Sequence, residues 1–153
     1  MKIAAIYCRV SQKTQNIDQQ KETLINYCKT NSWAYRSYLE NGVSGKIIDR
    51  PQWSKLIKDC ERGLFDTIIV QSLDRITRNA IYGHTFSSWC IKNKINLICL
   101  FEPVDLTTDS GWLAFNINIL ISEYRLRLDA YKRNIGIARA KAKGVRFGRP
   151  PKL

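Results

Sequence analysis

Histidine is almost missing from this chain: His84 is the only one in 153 residues. A metal cluster built on histidines is therefore excluded, and a nucleophile–histidine pair would have to use that one residue. The five cysteines, Cys8, Cys28, Cys60, Cys90 and Cys99, are odd in number and form no CxxC. They sit within apolar or amphipathic runs, as reduced and buried thiols of a cytoplasmic protein do. No apolar run approaches the length of a membrane span, and the amino terminus has no signal-peptide pattern. No DxD or other clustered carboxylates mark a magnesium site. Acidic residues are scarce toward the end: residues 125–153 hold ten of the 25 Lys and Arg but only Asp129 of the 13 Asp and Glu. Most of the net charge of +12 is therefore in a basic tail behind a nearly balanced body. That distribution suits a globular domain with a polyanion-binding extension, and the tail is too poor in large apolar anchors for a membrane surface.

What is present is an alternation of strands and helices. Residues 3–8 form an unbroken β-branched run, the pattern of a buried strand. Asn16 or Asp18 can cap a helix carrying Leu24, Ile25 and Cys28. The aromatic-rich residues 33–39 read as a second strand and residues 40–45 as a loop. Asp49 is placed as an N-cap, with Pro51 in the first turn of a helix that carries Trp53, Leu56, Ile57 and Cys60 and stops at Gly63. Residues 67–70 are a third strand that runs into the segment 72–79, a helix follows to about Lys94, and residues 96–101 are a fourth strand. The order predicts an α/β fold with a small, mostly parallel sheet and flanking helices.

After a loop at 103–110, Asp109 or Ser110 can cap a long last helix. Its apolar positions step by three and four through Leu113, Ile117, Leu120, Tyr124, Leu128, Tyr131 and Ile135. Some thirty helical residues span about 45 Å, more than the domain needs. The pattern predicts packing against another helix, most simply in a homodimer. Expected divisions are 1–110 for the α/β domain, 111–143 for the long helix and 144–153 for a basic linker or arm. Lys141, Lys143, Arg146 and Arg149 are the expected phosphate contacts.

Two strand ends carry chemistry. Arg9 and Ser11 follow strand one; Asp74, Arg75 and Arg78 follow strand three; Arg50 comes from the loop after strand two. In a parallel sheet these ends share one edge, where ligands bind. Singly, each arginine reads as an ion-pair partner, Asp74 with Arg75 or Arg78 and Asp49 with Arg50. Several guanidiniums beside one hydroxyl are what phosphoryl transfer uses, because planar forked donors stabilise charge on non-bridging oxygens without a metal.

The pattern Tyr7-x-Arg9-Val10-Ser11, then Gln15 and Gln20, Gly45 with Asp49-Arg50, Leu73-Asp74-Arg75-x-x-Arg78-Asn79, and Gly144 with Gly148-Arg149-Pro150 resembles the serine recombinase family of resolvases and DNA invertases. The resemblance spans nearly the whole chain. It implies a catalytic domain that binds double-stranded DNA, without a cofactor, in the cytoplasm at the nucleoid. Ser11 matches the nucleophile that forms a 5′-phosphoserine link, releases a 3′-hydroxyl and later allows religation. Arg9, Arg50, Arg75 and Arg78 match the phosphate-binding arginines, Asp74 the aspartate that orients them, and Tyr7 and Gln20 supporting positions. It also implies a homodimer that pairs into a tetramer for strand exchange.

Two departures accompany the resemblance. In Ser122-Glu123-Tyr124-Arg125-Leu126, Arg125 and Leu126 stand where the family usually has a Glu-Arg pair. The family also continues past Gly-Arg-Pro into a helix-turn-helix domain, whereas this sequence stops at Leu153, so site-specific docking is expected from a separate domain or an accessory protein. The competing reading is a catalytically silent DNA-binding and oligomerisation module. A metal-dependent nuclease lacks its carboxylates here, and a tyrosine recombinase its histidines.

Overall fold

The computed structural model describes residues 2–11, 16–42 and 50–148. Four strands, β1 (Ile3–Val10), β2 (Ala34–Asn41), β3 (Thr67–Val70) and β4 (Asn96–Cys99), form one sheet in the order β2-β1-β3-β4. Every pairing is parallel, so the mostly parallel sheet expected from the sequence is here wholly parallel. Five helices follow the strands: α1 (Asp18–Thr30), α2 (Pro51–Glu61), α3 (Leu73–Ile76), α4 (Ala80–Lys92) and α5 (Asp109–Ala142).

Alternation along the strands builds two apolar layers. Ala4, Ile6, Cys8 and Ile69 meet Leu24 and Cys28 of α1 on one face. Ala5, Tyr7, Ile68, Val70 and Leu97 meet Trp53, Leu56, Phe86, Cys90, Phe115 and Ile119 on the other. The strands are hydrophobic at successive positions because both faces are covered. All five cysteines are free and buried in these layers.

The chain leaves β1 toward β2 on one side and returns to β3 on the other. The crevice beyond the carboxyl ends of β1 and β3 is therefore the switch point of the sheet, where open α/β folds hold ligands. Ser11 stands just past the end of β1, exposed, while Ser72 to Arg78 follow β3.

Several helix starts differ from the sequence expectations. Asp49 lies outside the described residues, and Arg50 occupies the N-cap position of α2 with no side-chain cap of its own. The α5 cap is Thr108, not Asp109 or Ser110: its extended backbone aims Oγ1 at the Gly111 amide, 3.0 Å away. The segment 72–79 expected between the third strand and the next helix contains the separate turn α3, and α4 begins directly after that segment, at Ala80.

The first turn of α5 packs closely on the preceding loop. A Cβ at Gly111 would overlap the backbone carbonyl of Asp105. Gly111→Ala must displace that loop or the helix start, so we expect a loss of about 1–3 kcal/mol. Urea unfolding of the two chains would measure it.

Candidate active site

Arg9 is the next-to-last residue of β1 and is 1% exposed. Its Nη2 donates to the Asp74 carbonyl at 2.6 Å and its Nε to the Arg75 carbonyl at 3.2 Å. Arg50 is fully buried, with Nη1 donating to the Arg75 carbonyl at 2.9 Å and Nη2 to the Ile76 carbonyl. Its guanidinium carbon lies 5.1 Å from the Trp53 ring centre and 5.5 Å from that of Tyr7. Two arginines, one from β1 and one from the start of α2, thus hold the backbone of one short helix, α3. A four-residue helix has too few internal bonds to be stable alone.

Arg75 and Arg78 are more open. Arg75 returns a bond to β1, Nη1 to the Arg9 carbonyl at 3.1 Å, and its Nε is 3.8 Å from Asp74 Oδ1. Arg78 Nη2 is 3.0 Å from Asp74 Oδ2. Asp74 also accepts from the Ser72 hydroxyl. The ion pairs expected of Asp74 with Arg75 and Arg78 both form. Gln20 of α1 brackets Arg9, its Nε2 donating to the Arg9 carbonyl at 3.1 Å and its Oε1 accepting from the Arg9 amide at 3.4 Å. The structure therefore brings Tyr7, Arg9, Gln20, Arg50, Asp74, Arg75 and Arg78 together at the end of β1, next to Ser11.

Electrostatics separate these groups. Burial, then the nearby Arg50 and Arg75, pull the Arg9 guanidinium down to about 10, so it stays charged at neutral pH. Burial also lowers Arg50. Burial alone would raise the Asp74 carboxyl, but the Ser72 hydroxyl with Arg75 and Arg78 outweighs it and holds Asp74 below the ordinary carboxylate range. Burial pushes the Cys8 thiol up to about 12, which removes the neighbouring sulfur as a competing nucleophile. Burial likewise raises the Tyr7 phenol, so it stays protonated. His84 is used elsewhere, its Nδ1 3.3 Å from Asn116 Oδ1 and its ring edge-on to Trp112 of α5. Among the described residues, no group of three His, Cys, Asp or Glu is placed to hold a metal ion.

Three glutamates that the sequence reading did not assign complete this edge. Glu40, at the end of β2, accepts from the Gln52 and Trp53 amides at 2.9 and 3.2 Å and caps α2. Glu102, beyond β4, accepts from the Leu73 amide of α3 at 3.1 Å. Glu123 of α5 accepts from the Ala80 amide of α4 at 2.6 Å. Each carboxylate sits at the positive end of a helix. For Glu40 and Glu102 the signal was an acidic residue directly after the strands expected at 33–39 and 96–101, on the edge where helices start. Glu40→Ala leaves two amides without that acceptor, and we expect a loss of about 1–3 kcal/mol, with Glu40→Gln recovering part of it. Thermal unfolding of both variants would check this.

The family model described as Resolvase, N terminal domain matches residues 4–146. The chain belongs to the resolvase family of serine recombinases. The Tn2501 transposon resolvase of Escherichia coli is 33% identical over 152 residues, covering 96% of this chain and 75% of its own length. The serine recombinase gin of Escherichia phage Mu is 30% identical over 147 residues, covering 96% and 72%. The N-terminal catalytic domain of TP901-1 integrase superposes with a TM-score of 0.69 at 34% identity, over 84% of this chain and 99% of that one. The serine recombinase fold expected from the sequence, a parallel sheet followed by a long helix, is the one found. Among the described residues, no helix is long and apolar enough to cross a membrane.

Proposed function

We propose that this resolvase-family chain cleaves and rejoins DNA at specific sites through Ser11. The carrying observation is the placement of Ser11 at the switch point, beside the α3 segment whose Arg75 and Arg78 flank Asp74. In the first step the Ser11 Oγ attacks a DNA phosphorus and loses its proton. The bond from phosphorus to the 3′-oxygen breaks, and that oxygen leaves as a 3′-hydroxyl. The 5′-phosphate remains on Ser11 as a diester, which keeps the energy of the broken bond for religation without ATP. Arg75 and Arg78 are the more open guanidiniums and face the developing charge, Asp74 sets their direction, and Arg9 and Arg50 brace the turn and complete the positive field. Tyr7 supports Arg50, and Gln20 supports the Arg9 backbone.

DNA contact extends along the second half of α5. Lys141 at the end of α5, and Lys143 and Arg146 just beyond it, are exposed, and Arg149 lies outside the described residues. The seam of Leu113, Ile117, Leu120, Tyr124 and Leu128 is the dimer contact, and two dimers form the tetramer in which strands exchange. Functionally the chain divides into residues 1–110 for chemistry, 111–143 for assembly and DNA contact, and 144–153 as a basic arm.

The direct test is rapid denaturation during a reaction on double-stranded DNA, followed by mass spectrometry. A 5′-phosphate ester on Ser11 with a free 3′-hydroxyl opposite is the expected result; an adduct on a tyrosine would sink the assignment. Because guanidiniums supply the charge, cleavage in excess EDTA should run at the uninhibited rate. Loss of activity with EDTA and its return with magnesium would count against the mechanism.

A further inference from the structure

The retained glutamate of the long helix has a partner that the departures at Arg125 and Leu126 do not remove. Glu123 Oε2 accepts from the Ala80 amide at 2.6 Å, and its other oxygen pairs with Arg127 one turn on. Ala80 is the first residue of α4, and Arg78 and Asn79 are the two residues before it. That junction is short and closely tied. Asn79 caps α4 by accepting from the Tyr82 amide at 2.8 Å, and its own amide donates to Thr77 Oγ1 at 3.0 Å. Further along, Gly83 lets α5 approach, since a Cβ there would meet Ile119 Cγ2 at 2.8 Å. Arg78 and Glu123 line one groove of about 300 Å³ together with Asn79, Leu126, Arg127 and Ala130.

We propose that Glu123 is a positioning residue for Arg78: its carboxylate fastens the start of α4 to α5 and so fixes the turn from which Arg78 reaches Asp74. The geometry makes one fixed path. Ala80 cannot shift away from α5 without stretching the bond to Glu123, and Arg78 is two peptide units from that amide. Arg127 keeps the carboxylate charged: the Ala80 amide and then Arg127 hold Glu123 below the ordinary glutamate range. Leu120 and Tyr124, on either side of Glu123 in the sequence, are exposed on the same helix. A second chain seated on them therefore touches the element that places Arg78, and the arginine's aim depends on how α5 lies.

The inference rests on Arg78 serving the reaction proposed above, and the test has an arm that does not depend on it. Amide exchange at Ala80 and the NMR titration of the Asp74 carboxyl are measured in the wild type, Glu123→Ala and Glu123→Gln. Single-turnover cleavage and DNA affinity are measured on the same three chains. In Glu123→Ala the Ala80 amide should exchange faster and Asp74 should titrate higher as Arg78 withdraws. Cleavage should fall about tenfold or more while DNA affinity holds within about twofold, because a misplaced group costs rate rather than binding. Glu123→Gln keeps the acceptor and should stay close to wild type in all four. Should the alanine variant fail to fold, Glu123→Asp, one methylene shorter, carries the same comparison. An unchanged Ala80 amide and Asp74 titration in Glu123→Ala would overturn the proposal whether or not the chain cleaves DNA. Equal loss in the alanine and glutamine variants would overturn it too. A wild type that forms no Ser11 adduct, together with both NMR changes in Glu123→Ala, would refute the cleavage reading and leave the positioning in place.

Discussion

Ser11→Ala should form no covalent adduct and should lose cleavage by a factor of about a thousand or more, the scale seen when a nucleophile is deleted. Only one oxygen is removed, from an exposed residue outside both apolar layers. Folding stability should therefore change by no more than about 1.5 kcal/mol, the scale of one hydrogen bond. DNA affinity should also hold, because the proposed phosphate contacts lie at the end of α5 and not at the hydroxyl. The signature is a full separation of binding from chemistry, read by gel shift and adduct trapping on the same preparation. Ser11→Cys is informative beside it, since a thiolate can attack but is a different leaving group on religation. Cys8 cannot substitute for the missing hydroxyl, because burial keeps its thiol protonated. Full cleavage by the alanine variant would refute the mechanism; an adduct missing even from the wild type would favour a silent DNA-binding and assembly module.

The second large effect is on assembly. Leu120 is 58% exposed and Tyr124 62%, on a helix whose inward positions Phe115 and Ile119 are already buried against the body. Leu120→Asp with Leu128→Asp should raise the dimer dissociation constant by about a hundredfold or more. Two leucine burials of about 1.5–3 kcal/mol each are lost, and two carboxylates would be desolvated. Neither residue belongs to the buried core, so the sheet should remain folded. Sedimentation at several concentrations and far-UV circular dichroism would measure the two quantities separately. A double variant that associates like the wild type would remove the seam as the contact.

Much of the fold was legible because its signals are local. β3 occupies the residues its β-branched run marked, since a strand covered on both faces needs no polar alternation. The helix that ends at Gly63 does so for a local reason as well, a positive φ of 75° that an L side chain adopts only with strain. The seam of α5 was legible from steps of three and four. The opposite stripe was not: Phe115 and Ile119 are four apart like any other pair, and only the position of α4 decides that they turn inward. The cap of α5 was expected at Asp109 or Ser110 and is Thr108 instead, because all three side chains can accept an amide and the backbone torsion selects one.

Residue types and their order along the chain determined the chemistry available here. They put an arginine and a hydroxyl at the end of the first strand and an Asp-Arg-x-x-Arg run after the third. They also left a single histidine and placed most of the net positive charge in residues 125–153. The strand order then brought those ends to one crevice. Only the tertiary structure decided how the arginines divide. Arg9 and Arg50 are buried with donors on the backbone of α3, while Arg75 and Arg78 stay more open around Asp74. It also decided that glutamates 40, 102 and 123 close the helix starts. The physical reason is distance along the chain. A cap supplied from 12, 29 or 43 residues away leaves no local pattern, and whether a guanidinium meets a carbonyl or solvent depends on what packs above it.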